Sequence, residues 1–266
     1  MPQEPNAKKP YAKKRLGQHF LNDSAIIHQI VAAIHPKAQQ HVVEIGPGLG
    51  ALTTRLLPLV TQFDAIELDR GVIPYLQQQV SNYPHFTLHH HDALTFDYAS
   101  LLKDQQPLRL VGNLPYNIAT ELLFRLFNYK QHITDMHFMV QKEVAQRLTA
   151  QAGNKLYGRL SIMAQMHCQI SSLFDISPHA FQPPPKVNSS MIRLTPLCAP
   201  PYRIDDAALF DSIIKTAFSQ RRKTIRNSLK KIVTIEQLSS VDINPQYRAE
   251  QLTIADYVKI YDILKT

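Results

Sequence analysis

Asn113-Leu114-Pro115-Tyr116 places a carboxamide, a main-chain carbonyl and a phenol ring within four consecutive positions. An exocyclic amine on adenine is a poor nucleophile, because its lone pair is delocalised into the ring. Two oxygens that accept its N–H bonds, from the Asn113 side chain and the Leu114 carbonyl, let the nitrogen pyramidalise and turn that lone pair toward an electrophile. Pro115 stiffens the turn. Tyr116 offers a face for a base to stack on and for developing positive charge to meet. No early general base is needed, since the amine sheds its proton after transfer. Taken alone, Asn-x-Pro-Tyr is also an ordinary turn.

Glu44-Ile45-Gly46-Pro47-Gly48-Leu49-Gly50 sits where a strand pattern gives way to a helix pattern. Glycine there lets the main chain approach a nucleotide-like ligand with no Cβ in the way. Gly46, Gly48 and Ala51 also satisfy the loose dinucleotide pattern G-x-G-x-x-A, and Glu67 at the end of the next strand suits a ribose in either case. A nucleoside without pyrophosphate is favoured by the extra Gly50, by Glu44 before the turn, and by Asp92 ending the third strand. Glu67 accepts from both ribose hydroxyls, and Asp92 from an adenine amino group. The plain alternative, a glycine turn that binds nothing, loses ground to the acidic pair.

Such residues need a scaffold that gathers them at one edge. Strands over 41–45, 63–67, 86–90, 108–111 and 136–140 alternate with helices over 52–57, 72–80 and 119–127, which predicts an α/β fold with a parallel, doubly wound sheet. Ahead of them, Asn22 or Asp23 caps a helix with Ile26, Ile27, Ile30, Val31 and Ile34 at helical spacing, ending before Pro36. Helices over 142–150 and 160–166 follow. Stretches 170–176 and 189–194, around Pro183–Pro185, give the sheet an antiparallel end. After a linker marked by Pro196, Pro200 and Pro201 the chain reads as all helix, over 205–218, 223–232, 236–239 and 254–264, the last capped by Thr253. The expected division is an arm over 1–17, a sheet domain over 18–199 and a helical domain over 200–266.

The net charge of +8 on 266 residues is concentrated in two places. The first is Lys8, Lys9, Lys13, Lys14 and Arg15, in a proline-bearing stretch expected to be a flexible arm; the second is Lys215 to Lys231, with seven bases and no acid. Clustered cations displace counterions from phosphates, so two such clusters on an otherwise slightly acidic chain point to a polyanion. The bland alternative is a solvated surface with a solubilising tail. No apolar run approaches the ~20 residues of a membrane helix, and the start lacks the apolar core of a signal peptide, so a cytoplasmic protein is expected. Cys168 and Cys198 read as ordinary thiols.

Other features read as structural. His89, His90 and His91 alternate faces of a strand and cannot all converge on one ion, so no metal is expected. Lys142 and Glu143 open a helix as surface charges. Arg159, in a loop after Tyr157-Gly158, is within reach of RNA, but solvent exposure is the favoured reading. Met163 and Met166, at helical spacing, read as core.

Gln18-His19-Phe20-Leu21, Glu44 to Gly50, Glu67, Asp92-Ala93-Leu94, Asn113 to Tyr116 and Phe181-x-Pro183-x-Pro185-x-Val187 occur together and in order, and so do the residues from Phe218 to Asn227. With these the chain resembles the ribosomal RNA adenine N6-dimethyltransferases, most of all those of the bacterial small subunit, over nearly its whole length. The resemblance implies a class I methyltransferase sheet with a smaller helical C-terminal domain, and S-adenosylmethionine as methyl donor. It further implies two adjacent adenosines in the 3′-terminal hairpin of 16S rRNA as target, four methyl transfers, and action on immature small subunits late in their assembly; separately, a monomer is expected. By position, His19 and Leu21 cover the methionine end of the cofactor, and Gly46 and Gly48 lie against it. Glu67 holds the ribose, Asp92 the adenine, and Asn113 touches both cofactor and target. Tyr116 and Phe181 sandwich a flipped adenine. Arg221, Arg222, Lys223, Arg226 and Lys230 grip phosphates. The family usually has Asn where this chain has His19, a change that a main-chain contact survives and a side-chain amide contact does not.

Two rivals remain open at this point: the same chemistry on large-subunit RNA, and an RNA-binding assembly factor without turnover. A nicotinamide dehydrogenase would require binding of NAD in preference to S-adenosylmethionine.

Overall fold

The computed structural model describes residues 9–102 and 106–265. Lys8 and the residues before it, part of the expected arm, lie outside the described residues. In chain order the strands are β1 (Phe20–Leu21), β2 (His41–Ile45), β3 (Gln62–Glu67), β4 (Phe86–His90), β5 (Leu108–Asn113), β6 (Ile133–Gln141), β7 (Cys168–Ile176), β8 (Phe181–Gln182) and β9 (Ser189–Pro196). The helices are α1 (Ser24–Ile34), α2 (Thr53–Leu56), α3 (Ile73–Val80), α4 (Ala119–Phe127), α5 (Lys142–Thr149), α6 (Arg159–Gln165), α7 (Ala207–Phe218), α8 (Ile225–Ser228), α9 (Ile235–Ser240) and α10 (Ile254–Lys265).

Seven strands form one sheet in the order β4-β3-β2-β5-β6-β9-β7, parallel from β4 to β6 and antiparallel where β9 meets β6. The order reverses between β2 and β5, so β2, β3 and β5 all end at the crevice where ligands of such sheets gather. Both faces are buried: on one, Val42, Phe63, Ala65 and Val111 pack with Ile30, Leu56 and Leu76 of the flanking helices, and on the other Val43, Ile45, Ile66 and Leu110 are covered as well. In β5, Gly112 faces the main chain of β2, and a Cβ there would lie 2.4 Å from the Ile45 carbonyl oxygen, so no larger residue fits. Asp23 caps α1, its Oδ1 accepting from Ala25 N at 2.9 Å and Ile26 N at 3.1 Å.

The chain divides into two compact units, Met1–Ala145 with Ser171–Pro196, and Gln146–Ile170 with Leu197–Thr266. The third crossing, between Pro196 and Leu197, lies near the boundary expected at residue 200, but 146–170 also belongs to the helical unit. The reason is packing: Tyr157, Ile162 and Met166 share a core with Phe210, Ile213, Tyr257 and Ile260. Arg159, expected on a loop, instead opens α6; its side chain is partly exposed, as expected, and pairs with Asp211 at 2.7 Å. The helix expected over 223–232 is confined to α8. Thr224 is extended and bridged to Arg248, and beyond the helix Ile232 N and Val233 N both donate to the Leu229 carbonyl, a turn that buries Val233.

The flexible arm expected over 1–17 also needs correction for its described part. Lys13 Nζ reaches Asp69 Oδ1 at 2.6 Å, Lys13 N donates to Gln18 Oε1 at 2.8 Å, and residues Lys14–Leu16 form a single 3-10 turn. A nearly buried carboxylate with one cationic partner pulls that partner in, because leaving it alone would strand a charge.

Candidate active site

A cavity opens at the carboxyl ends of β2, β3 and β5, floored by the glycine turn and walled by residues from Leu16 to Leu21, Glu67, Asp92 and the Asn113–Tyr116 turn. The turn is left-handed at Gly48 (φ +55°), where a Cβ would also press on the Phe20 ring at 3.1 Å. Two acidic side chains flank this turn in different surroundings. Glu67 is aimed by two main-chain donors, Gly48 N to Oε2 at 3.0 Å and Asp69 N to Oε1 at 2.7 Å; burial raises its pKa and those bonds oppose the rise. Glu44 is buried with one hydroxyl donor, Thr53 Oγ1 at 2.5 Å, and burial raises its pKa to about 8. It is therefore mostly protonated at neutral pH. Asp92, at the rim, accepts from Leu94 N at 2.9 Å.

That protonation has a measurable sign. The native state holds the Glu44 proton far above the ordinary value of 4.5, so its contribution to stability is complete below pH 4.5 and is withdrawn as pH rises through about 8. Glu44→Gln keeps an acceptor for Thr53 and removes the titration. In thermal melts of the ligand-free protein, the variant gains on the wild type steadily from pH 4.5 to 8; parallel curves would contradict the buried neutral acid.

In the Asn113–Tyr116 turn, Asn113 Nδ2 donates to the His19 carbonyl at 2.8 Å. A carbonyl only accepts, so this bond settles the amide orientation and leaves Oδ1 as the free acceptor on a cavity-lining residue. Leu114 N donates to the Met139 carbonyl at 3.1 Å and pins the turn to β6. The Tyr116 hydroxyl meets Ser189 Oγ at 2.7 Å. Burial pushes the Tyr116 pKa up, so the ring stays a neutral phenol.

Not every expected residue joins this group. His19, Leu21, Gly46, Gly48, Glu67, Asp92, Asn113, Leu114 and Tyr116 all line the cavity. Phe181 does not: it lies opposite Leu21 in the β1–β8 pair and is buried in the core at 2% exposure. Its ring packs in that core. The ring stacked on Tyr116 is His19, at 5.7 Å between centroids and 28° between planes. The three consecutive histidines diverge as expected, His89 to Asp64, His90 to the Leu68 carbonyl and His91 to the Asp92 carbonyl. In the helical unit Arg222, Lys223, Arg226 and Lys230 are exposed and have no acidic partner among the described residues, while Arg221 donates to the Lys155 carbonyl.

Sequence reasoning missed Asp69. It accepts from Lys13, from Gln18 Nε2 at 2.9 Å and from Gly71 N at 2.8 Å, while its own N–H orients Glu67. Burial works to raise its pKa, but Lys13 and Gln18 outweigh burial and hold it below the usual carboxylate range. The clue was its place two residues after Glu67, one turn beyond a carboxylate already singled out. Asp69→Ala frees the segment before the cavity, and tryptic cleavage after exposed Arg15 is expected to quicken about tenfold, as a loss of ~1.4 kcal/mol from local closure implies. Unchanged cleavage would show that the contact does not hold the segment.

A family profile described as ribosomal RNA adenine dimethylase matches residues 10–266. The chain belongs to this family. Among curated dimethylase relatives, the ribosomal RNA small subunit methyltransferase A of Marinobacter nauticus is 50% identical over 95% of this chain and 91% of its own. The protein of the same name from Coxiella burnetii (strain RSA 493 / Nine Mile phase I) is 48% identical over 97% of this chain and 99% of its own. Among solved structures, a dimethyladenosine transferase from Plasmodium falciparum superposes with a TM-score of 0.78 at 24% identity, covering 93% of this chain and 98% of that one. The 23S rRNA methyltransferase ErmE follows at 0.72 and 21%, covering 93% and 100%. Both share the Rossmann-like methyltransferase fold. As a member of the dimethylase family the chain is an rRNA adenine methyltransferase, and the dehydrogenase reading of the glycine turn is set aside.

Proposed function

We propose that this chain uses S-adenosylmethionine to dimethylate N6 of two adjacent adenosines in the 3′-terminal hairpin of 16S rRNA, on immature small subunits in the cytoplasm. What carries the reading is the orientation of Asn113, whose amide nitrogen donates to the His19 carbonyl and thereby fixes Oδ1 as the acceptor of a cavity-lining residue. The residues present fit the cofactor: a glycine turn that a Cβ would fill, and a carboxylate aimed by two main-chain donors with lone pairs to spare.

S-adenosylmethionine supplies an electrophilic methyl on a sulfonium sulfur. Glu67 takes the ribose hydroxyls, Asp92 the adenine amino group, and the main chain at Gly46, Gly48, His19 and Leu21 shapes the methionine end. Asn113 Oδ1 and the Leu114 carbonyl accept from N6 and localise its lone pair along the line of attack. Tyr116 stacks on the extruded base and faces the charge that builds on nitrogen. After one transfer N6 still carries a hydrogen, so either oxygen holds it for the second. The small-subunit target is supported by the relatives' shared name at about half identity.

The test is labelled methyl transfer into undermethylated small and large subunits offered separately. Label is expected in the small subunit; label in the large one instead would favour the rival substrate, and none in either would leave only RNA binding. Arg222, Lys223, Arg226 and Lys230 would hold phosphates. Replacing Arg222 and Lys223 together by Ala should lower the slope of log affinity against log salt by about 1.5. An unchanged slope would remove them from the interface.

A further inference from the structure

His19 stands where a target base would have to go. Its imidazole lies on the Tyr116 ring, 5.7 Å between centroids, so two rings in contact leave no layer for a third. Tyr116 is the fixed member, its hydroxyl bound to Ser189, which is fully buried. His19 is held on the solvent side by one bond, Nδ1 to the Pro183 carbonyl at 2.8 Å; a carbonyl only accepts, so Nδ1 carries the proton. The main chain of the same residue does separate work, since its carbonyl orients Asn113. Rotation about the Cα–Cβ bond therefore removes the ring from Tyr116 without disturbing the acceptor that localises the N6 lone pair.

We propose that the His19 imidazole is a placeholder for the target adenine, covering the stacking face of Tyr116 until the base displaces it. The proposal rests on the reading of Tyr116 as the platform for that base. While the slot is empty the ring keeps water from the acceptor oxygens, and its departure breaks one hydrogen bond and exchanges one stack for a larger one. The apparent affinity for the base is reduced by the fraction of molecules in which the slot is closed.

Two measurements test this. In the unmodified chain with 13C-labelled histidine, the His19 ring protons are expected upfield under the Tyr116 ring current and should move downfield as millimolar adenosine is added; His19→Ala assigns them. Signals that stay upfield at saturating adenosine would overturn the placeholder. With undermethylated small subunits, His19→Ala should lower KM for the subunit by about threefold or more, with no matching fall in KM for S-adenosylmethionine. His19→Phe, which keeps a ring on Tyr116 without the tether, should not lower it. If the wild type transfers methyl and His19→Ala leaves the subunit KM unchanged or raised, the placeholder fails alone. If the wild type transfers none, the functional reading fails with it.

Discussion

Asn113→Ala is expected to cut the rate of methyl transfer by about 10²–10³-fold, the usual loss when one preorganised electrostatic partner of a transition state is removed. The fold should tolerate it. What the native state loses is one bond to the His19 carbonyl, worth about 1 kcal/mol. Cofactor and RNA remain bound, so the loss falls on the chemical step and single-turnover measurements should place it there. Asn113→Asp sharpens the point. The carboxylate is a better acceptor than the amide, yet it turns an oxygen toward the His19 carbonyl where a donor belongs, and the two repel. If orientation matters as much as accepting power, Asp fails about as badly as Ala; near-normal transfer by the Asp variant would refute that.

The second large effect is on cofactor affinity. Glu67→Ala removes the proposed ribose acceptor and also strands the Gly48 and Asp69 amides, which donate to it at 3.0 and 2.7 Å. Hydrogen bonds to a charged group are worth about 1.5–3 kcal/mol each, so two lost hydroxyl contacts raise Kd by roughly a hundredfold or more. Glu67→Gln is no remedy, since its NH₂ would face one of two main-chain donors. Calorimetric titration with S-adenosylhomocysteine reads both variants, and a Kd within a few-fold of wild type would remove Glu67 from the site. Because burial raises the Glu67 pKa, wild-type affinity should also weaken as falling pH protonates it.

Where the chemistry depends on short-range spacing, the sequence was informative. The glycine turn, Glu67, Asp92 and the Asn113–Tyr116 turn each end or follow a strand whose apolar run is plain, and parallel strands bring their carboxyl ends together whatever their distance in sequence. Long-range choices were not legible. Lys13 and Asp69 are 56 positions apart, and nothing local in either tells of the other. Pairing of Phe20–Leu21 with Phe181–Gln182 involves two residues a side, too few for a period-2 pattern, and it places Phe181 in the core and not on the cavity lining. The helical periodicity of 160–166 shows that an apolar face exists but not which core receives it, so its membership in the helical unit emerged only from packing. In 223–232 the helix-forming composition was overruled by the Thr224–Arg248 bridge and the turn that buries Val233.

One measurement bears most directly on the central claim, that a single cavity directs methyl groups to an adenine amine through the Asn113 oxygen. Undermethylated small subunits are incubated with the chain and labelled S-adenosylmethionine, and the RNA is digested to nucleosides. The account expects label in N6,N6-dimethyladenosine, with N6-methyladenosine as a transient, and almost none with Asn113→Ala. Label on a ring nitrogen or a ribose, or dimethyladenosine formed at the wild-type rate by Asn113→Ala, would contradict it.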